Sequence, residues 1–154
     1  MNDRTEARLK ELGVTLPEAP KAAANYVPAV LSGSMLYISG QLPLAGGELT
    51  CKGRLGEDVA IEDAAKAAKL CIINALAQAK AELGSLDRIV RVVKLVGFVS
   101  SAPGFGEQPK VVNGASDFLV DALGDKGRHA RSAIGVAALP FGAAVEVEAI
   151  IEVA

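Results

Sequence analysis

The sequence predicts an α+β fold, a single domain over residues 1–154 in which two helices cover one face of a mixed sheet. Three observations predict it. Extended β-branched segments and segments of three- and four-residue apolar recurrence follow one another in the order β-β-α-β-α-β-β. Both long helical segments stop at a glycine, Gly84 and Gly124. The chain of 154 residues is the length of about one domain, and 51% apolar with 22% charged residues is a globular balance. Aromatics make up only 4% and Trp is absent, so Val, Ile, Leu and Ala must build the core.

A short helix is expected from Asp3 to Leu12, closed by Gly13, within an N-terminal extension over residues 1–20 that continues through Pro17 and Pro20. Tyr26–Leu31 and Met35–Ser39 read as strands joined by a three-residue loop, Ser32-Gly33-Ser34. The stretch from Gly46-Gly47 to Gly56 is loop-like, with a short strand at Leu49–Lys52. From Ile61 to Leu83 the pattern is helical: Ala68, Cys71, Ile72, Ala75, Leu76, Ala79 and Leu83 recur at helical steps. Ile89–Val99 is a β-branched strand, Ser100–Pro109 a turn-rich loop and Lys110–Leu123 a second helix. Two last strands, Ser132–Ala138 and Ala144–Val153, flank a Pro140-Phe141-Gly142 turn. One sheet face is left without a helix and must meet solvent or another subunit.

A net charge of −2 and the absence of a Lys/Arg block give no phosphate-binding face, so no nucleic-acid partner is expected. The charged start, Met1 to Glu6, is not a signal peptide and no apolar run reaches membrane-spanning length, so the expected location is cytoplasmic, without membrane contact. Cys51 and Cys71 lack metal-ligand spacing and read as reduced thiols, Cys71 buried on its helix. No cofactor or metal is expected.

The last two strands, read as a hairpin, carry the candidate chemistry. With the turn near Pro140-Phe141, Ala133 falls opposite Glu148. Ile134 and Val136 would form the apolar face of the first strand, leaving Arg131, Ala133 and Gly135 on the other side. Val145, Val147, Ala149 and Ile151 would form that of the second, leaving Glu146, Glu148 and Glu152. Arg131 and Glu148 would then share the helix-free face across a floor of small residues. A guanidinium fork grips a carboxylate in two places, and a carboxylate beside it can deprotonate water. An exposed salt bridge on a solvated face fits the same pattern.

The segment Arg131-Ser132-Ala133-Ile134-Gly135-Val136-Ala137-Ala138-Leu139-Pro140, followed by Val145-Glu146-Val147-Glu148-Ala149, resembles the signature of the RidA/YjgF family. Tyr26 in Asn25-Tyr26-Val27, then Ser39-Gly40-Gln41-Leu42-Pro43, then Val112-Asn113-Gly114 agree in order and spacing, so the resemblance runs from about Pro20 to the end. It implies a chorismate-mutase-like fold and a homotrimer with sheets facing inward and clefts between subunits. It also implies hydrolytic deamination of reactive 2-imino or enamino acids to 2-keto acids and ammonia, the substrate being a small molecule with a carboxylate. By matching positions, Arg131 would bind that carboxylate, Glu148 would position the attacking water, and the backbone at Ala133 would contact the substrate nitrogen. Tyr26, Ser39, Gly40 and Asn113 would line or close the pocket, some of them from across the interface.

Imines of this kind hydrolyse unaided, so orientation and one base suffice. The single imidazole, His129, argues against a Ser-His relay and reads as a loop residue before the strand. Tyr26 at a strand end and Asn113 near a helix start suit scaffold roles equally well, and Ser39-Gly40 suits close strand packing. Ala133 stands where many family members have Cys, Asn25 replaces a Gly-Pro pair, the Ser100–Pro109 loop is longer and the first helix is additional. These mark a divergent subgroup. A non-catalytic trimer that binds small carboxylates, and a ribonuclease, are the other readings of the same fold. The acidic balance and single His weigh against the ribonuclease.

Overall fold

The computed structural model describes residues 3–22 and 24–154; Met1, Asn2 and Ala23, which fall within the expected extension and the stretch after it, lie outside the described residues. The first helix, α1 (Arg4–Glu11), starts on Asp3, whose Oδ1 accepts from the Glu6 amide at 2.9 Å. Gly13, at a φ of +77°, turns the chain out of it. The β1 (Ala29–Ser32) and β2 (Met35–Gln41) strands pair antiparallel with Ser32 opposite Met35. The expected three-residue loop is therefore only Gly33-Ser34, with Gly33 in the left-handed region. The first strand begins at Ala29, not Tyr26. Pro28 has no N–H to give a ladder, and its carbonyl takes the Ser39 amide instead. Two-residue strands β3 (Leu44–Ala45) and β4 (Glu48–Leu49) form a ribbon across Gly46-Gly47, in place of the expected Leu49–Lys52 strand.

The central helix α2 (Ile61–Leu83) ends on Gly84 with a φ of +78°, as its periodicity predicts. From Cys71 to Ala79 it is buried on every side, which fits its mixture of Ala, Ile and Leu there. The sheet covers one side and α3 (Gln108–Leu123) another. On the remaining side its buried amides serve the flanking chain: Asn74 Nδ2 donates to the Leu42 and Leu44 carbonyls at 3.1 Å each, and Gln78 Nε2 donates to the Pro20 carbonyl. Cys71 is buried on this helix and both cysteines are free. None of the helices is long and apolar enough to cross a membrane, among the described residues.

The remaining strands are β5 (Ile89–Ser100), β6 (Ala130–Val136) and β7 (Val145–Val153). The five-stranded sheet has the order β1-β2-β7-β5-β6. β7 is antiparallel to both β2 and β5, whereas β6 is parallel to β5 at the outer edge. The expected terminal hairpin does not exist. A strand–helix–strand crossover through α3 sets β6 beside β5, and β7 passes beyond β5 to fill the slot between β5 and β2. Leu36, Ile38, Val92, Leu95, Val99, Val145, Val147, Ala149 and Ile151 are buried and form the sheet's contribution to the core.

Two close approaches fix the helix layer. A Cβ on Gly114 would fall on the Ala65 carbonyl oxygen of α2, and one on Gly97 would fall on the Val112 side chain of α3. Gly114→Ala should therefore destabilise the protein by about 1–3 kcal/mol, because a backbone carbonyl cannot step aside. Thermal unfolding measures this, and an unchanged Tm would show that the helices can separate without loss.

The additional first helix is tied down by a reciprocal pair of carboxylates. Asp87 accepts from the Arg4 and Thr5 amides at 2.8 and 3.0 Å and from the Thr5 hydroxyl at 2.9 Å. Asp3 Oδ2 in turn accepts from Ser85 Oγ and the Leu86 amide. The Arg4 amide, followed by the Thr5 donors, holds the Asp87 carboxyl down to about 2. A lowered carboxylate pKa stabilises the fold above the ordinary carboxylate range and loses that effect as pH falls towards about 2. In Asp87→Asn, the amides of α1 should exchange with solvent several-fold faster while those of α2 keep their protection. Equal protection of α1 in both proteins would contradict the anchor.

Candidate functional site

The sheet order decides where the predicted site residues stand. Across β6, β5 and β7, Arg131, Leu95 and Ala149 form one row, and Ser132, Val96 and Glu148 form the next. Directly paired residues share a face, and Leu95 and Ala149 are buried under the helices. Arg131 therefore points to the helix side and Glu148 to the open side. The two candidate residues are on opposite faces of one protomer, with a whole strand between theirs. This corrects the shared-face expectation. It also inverts the faces assigned to β6: Ala133 packs against the core and Gly135 faces Gln108 and Ser101, while Ile134 is 42% exposed on the open side. The faces assigned to β7 stand as predicted.

The inversion has a physical cause. Apolar alternation marks the core only when the other face is polar throughout, and here the open face carries apolar residues as well, beside Lys94, Ser132, Glu146 and Glu148. Val30, Tyr37 and Ile150 pair in one row across β1, β2 and β7, Phe98 and Ile134 pair across β5 and β6, and Val96 between these rows pairs with Glu148 and Ser132. On the helix side of β6, by contrast, small residues make room for α3.

Two groups of predicted residues result. The first lies where β6 meets α3. Arg131 Nη1 donates to Ser116 Oγ at 3.1 Å and Nη2 donates to the Pro109 carbonyl at 3.4 Å. Pro109, Asn113 and Ser116 recur at helical steps of four and three, so the exposed Asn113 shares the stripe of α3 that holds the guanidinium. Half-buried Ala133 is on the same side of β6, one full repeat beyond Arg131. Three of the five guanidinium N–H groups remain for a ligand.

The second group lies on the open face, around a concavity of about 250 Å³ lined by Glu148, Lys94, Ser39, Tyr37, Val96 and Val30 among others. Ser39 holds the preceding chain: its hydroxyl donates to the Val27 carbonyl at 3.0 Å and its amide to the Pro28 carbonyl at 2.9 Å. This places Tyr26, which is 52% exposed, next to the segment that borders β2. Gly40 sits where the β2 register shifts between Ile38 and Gln41, and a Cβ there would collide with the Glu146 carboxyl. Gly40 thus lets Glu146 lie on the backbone beside Glu148. Lys94 and Tyr37 were missed from the sequence. The period-two pattern of β5 and β2 places them on the Glu148 face once the strand order is known.

Burial first, and the Glu148 charge second, push the Glu146 carboxyl above its ordinary range. Among the described residues no group of three or more His, Cys, Asp and Glu side chains is arranged to hold a metal. What the two groups offer is a cationic fork at one edge and, in a shallow basin on the open face, a carboxylate and a lysine in the same lining.

Residues 6–153 match the family described as "YjgF/chorismate mutase-like, putative endoribonuclease". Protein TCP17 of Trypanosoma cruzi is 50% identical over 152 residues, covering 97% of this chain and 94% of that protein. The Agrobacterium tumefaciens protein Atu1372, of unknown function, superposes with a TM-score of 0.92 at 54% identity, over 97% of this chain and 92% of its own. RidA from an Antarctic Psychrobacter is 32% identical with a TM-score of 0.62, over 88% and 94% of the two chains. E. coli TdcF with bound serine is 26% identical with a TM-score of 0.64, over 89% and 94%.

The raised Glu146 carboxyl makes a prediction of its own. Folding opposes its ionised form, so its contribution to stability declines as pH rises through and above the carboxylate range. At pH about 7, Glu146→Gln should raise Tm, and the gain should shrink as pH falls into the acid range. A lower Tm at neutral pH would mean that the charge is compensated.

Proposed function

Because the chain belongs to the YjgF/RidA family, in a subgroup divergent from RidA itself, we propose that it hydrolyses reactive 2-imino or enamino acids to 2-keto acids and ammonia, at sites built from two copies of the chain. The observation that carries this reading is the separation of Arg131 from Glu148. Each half is incomplete in one protomer, and each lies beside a surface suited to pairing: the unpaired edge of β6 and the apolar open face. A homotrimer that packs open faces together would bring the Arg131 edge of one copy to the Glu148 basin of the next. TdcF supports the substrate class, since serine carries the carboxylate that Arg131 would grip.

In this site Arg131 binds the substrate carboxylate with its free N–H groups. Glu148 takes a proton from water as the oxygen adds to the C=N carbon. The adduct receives that proton on nitrogen and becomes the neutral carbinolamine; Glu148 then carries the carbinolamine's hydroxyl proton to the same nitrogen, the C–N bond breaks, ammonia leaves and the carbonyl forms. Asn113 and the Ala133 backbone border the Arg131 half, and Ser39, Gly40 and the Tyr26 segment border the Glu148 half. Glu146, Glu148 and Glu152 all occupy the open side of β7, an arrangement that repels a phosphodiester and weighs against ribonuclease action there.

The test is complementation between inactive variants, using imines generated in situ. Arg131→Ala should raise KM for the imino acid steeply, and Glu148→Gln should lower kcat by about 100-fold or more while sparing keto-acid binding. Co-refolded in equal amounts, the two variants should recover about a quarter of wild-type activity, because random trimers leave that share of interfaces with both residues intact. A mixture as inactive as its parts would place both residues in the site of a single copy. A wild-type protein that binds a keto acid yet never accelerates imine hydrolysis would leave the non-catalytic binding reading.

A further inference from the structure

Behind Arg131 is a hydrogen-bonded chain that ends on the protein's single histidine. His129 Nδ1 is 2.6 Å from the Gly127 carbonyl, and Nε2 is 2.8 Å from Ser116 Oγ. A carbonyl only accepts, so Nδ1 carries the proton and, in the neutral imidazole, Nε2 is an acceptor. The Ser116 hydroxyl then donates to Nε2, which turns its lone pairs towards Arg131 Nη1 at 3.1 Å. Every polar atom in the series has one assigned role: Arg131 donates to Ser116, Ser116 donates to His129 and His129 donates to Gly127. Ser116 and His129 are half-buried, where such a chain is stronger than in water.

We infer that Ser116 and His129 are positioning residues for the carboxylate site. They lock one arm of the Arg131 guanidinium, the Pro109 carbonyl restrains the other, and the outward donors are thereby aimed before substrate arrives. This rests on Arg131 as the carboxylate-binding group. It goes further in assigning the direction of the fork to a Ser–His pair that spans α3 and the start of β6. A free arginine loses side-chain entropy when it closes on a ligand, whereas one already held loses less. In this scheme Ser116 acts through the Arg131 guanidinium and does not touch the substrate.

The test does not depend on turnover. With one histidine in the chain, ¹⁵N-labelled protein gives an imidazole spectrum that needs no assignment. At pH about 8, where an imidazole is neutral, it should show the Nδ1–H tautomer, and pyruvate should shift the Nε2 signal in the wild type but not in Arg131→Ala. Pyruvate affinity, followed by calorimetry, should fall about tenfold in Ser116→Ala and in His129→Ala, survive in Ser116→Thr, and fall no further in the double variant. An Nε2–H tautomer, unchanged pyruvate affinity in Ser116→Ala, or additive losses in the double variant would overturn the relay. A protein that binds pyruvate through the relay but leaves imines untouched would refute the deaminase reading alone.

Discussion

Everything about the candidate site follows from β7 occupying the middle of the sheet. Its antiparallel ladders to β2 and β5 put Glu148 on the open face at the centre of the molecule, and they force β6 to the rim. With β6 at the rim, Arg131 projects towards α3 instead of across the sheet. Val145, Val147, Ala149 and Ile151 anchor that central strand in the core, so its position cannot change without dismantling the packing under α2.

The two faces of the sheet are consequently different kinds of surface. One is a conventional core in which glycines allow close contact, as where Gly114 meets the Ala65 carbonyl. The other combines Tyr37, Ile134 and Val30, each more than 40% exposed, with a basin that holds Glu148 and Lys94. Exposed apolar side chains of this size on one face suit a protein contact. A catalytic residue set in such a face is useful only if a second chain closes over it, which is why oligomerisation and chemistry are coupled in the proposed function.

Local order was legible in the residues. The 61–83 helix with its Gly84 stop, the short helix ending at Gly13 and the β7 alternation all appear where periodicity and caps put them, because these depend on neighbours within a few positions. Strand order was not, because alternation along β6 is indifferent to which strand it joins. The usable signal was the helix between β5 and β6, whose length suits a parallel crossover and argues against β6 pairing first with β7. Arg131 and Glu148 stood out in the sequence as candidates, but their separation did not, since it arises from the order of the strands. The Ser116–His129 contact was invisible because the two lie thirteen positions apart, on either side of a chain reversal.

In the proposed function one ligand is gripped by two copies of the chain, and a crystal structure of the protein with a short 2-keto acid decides the matter. The ligand carboxylate should lie on Arg131 of one subunit, with the keto carbon facing Glu148 of a neighbour. A ligand enclosed by a single protomer, or an Arg131 edge left facing solvent in the assembled protein, would contradict it.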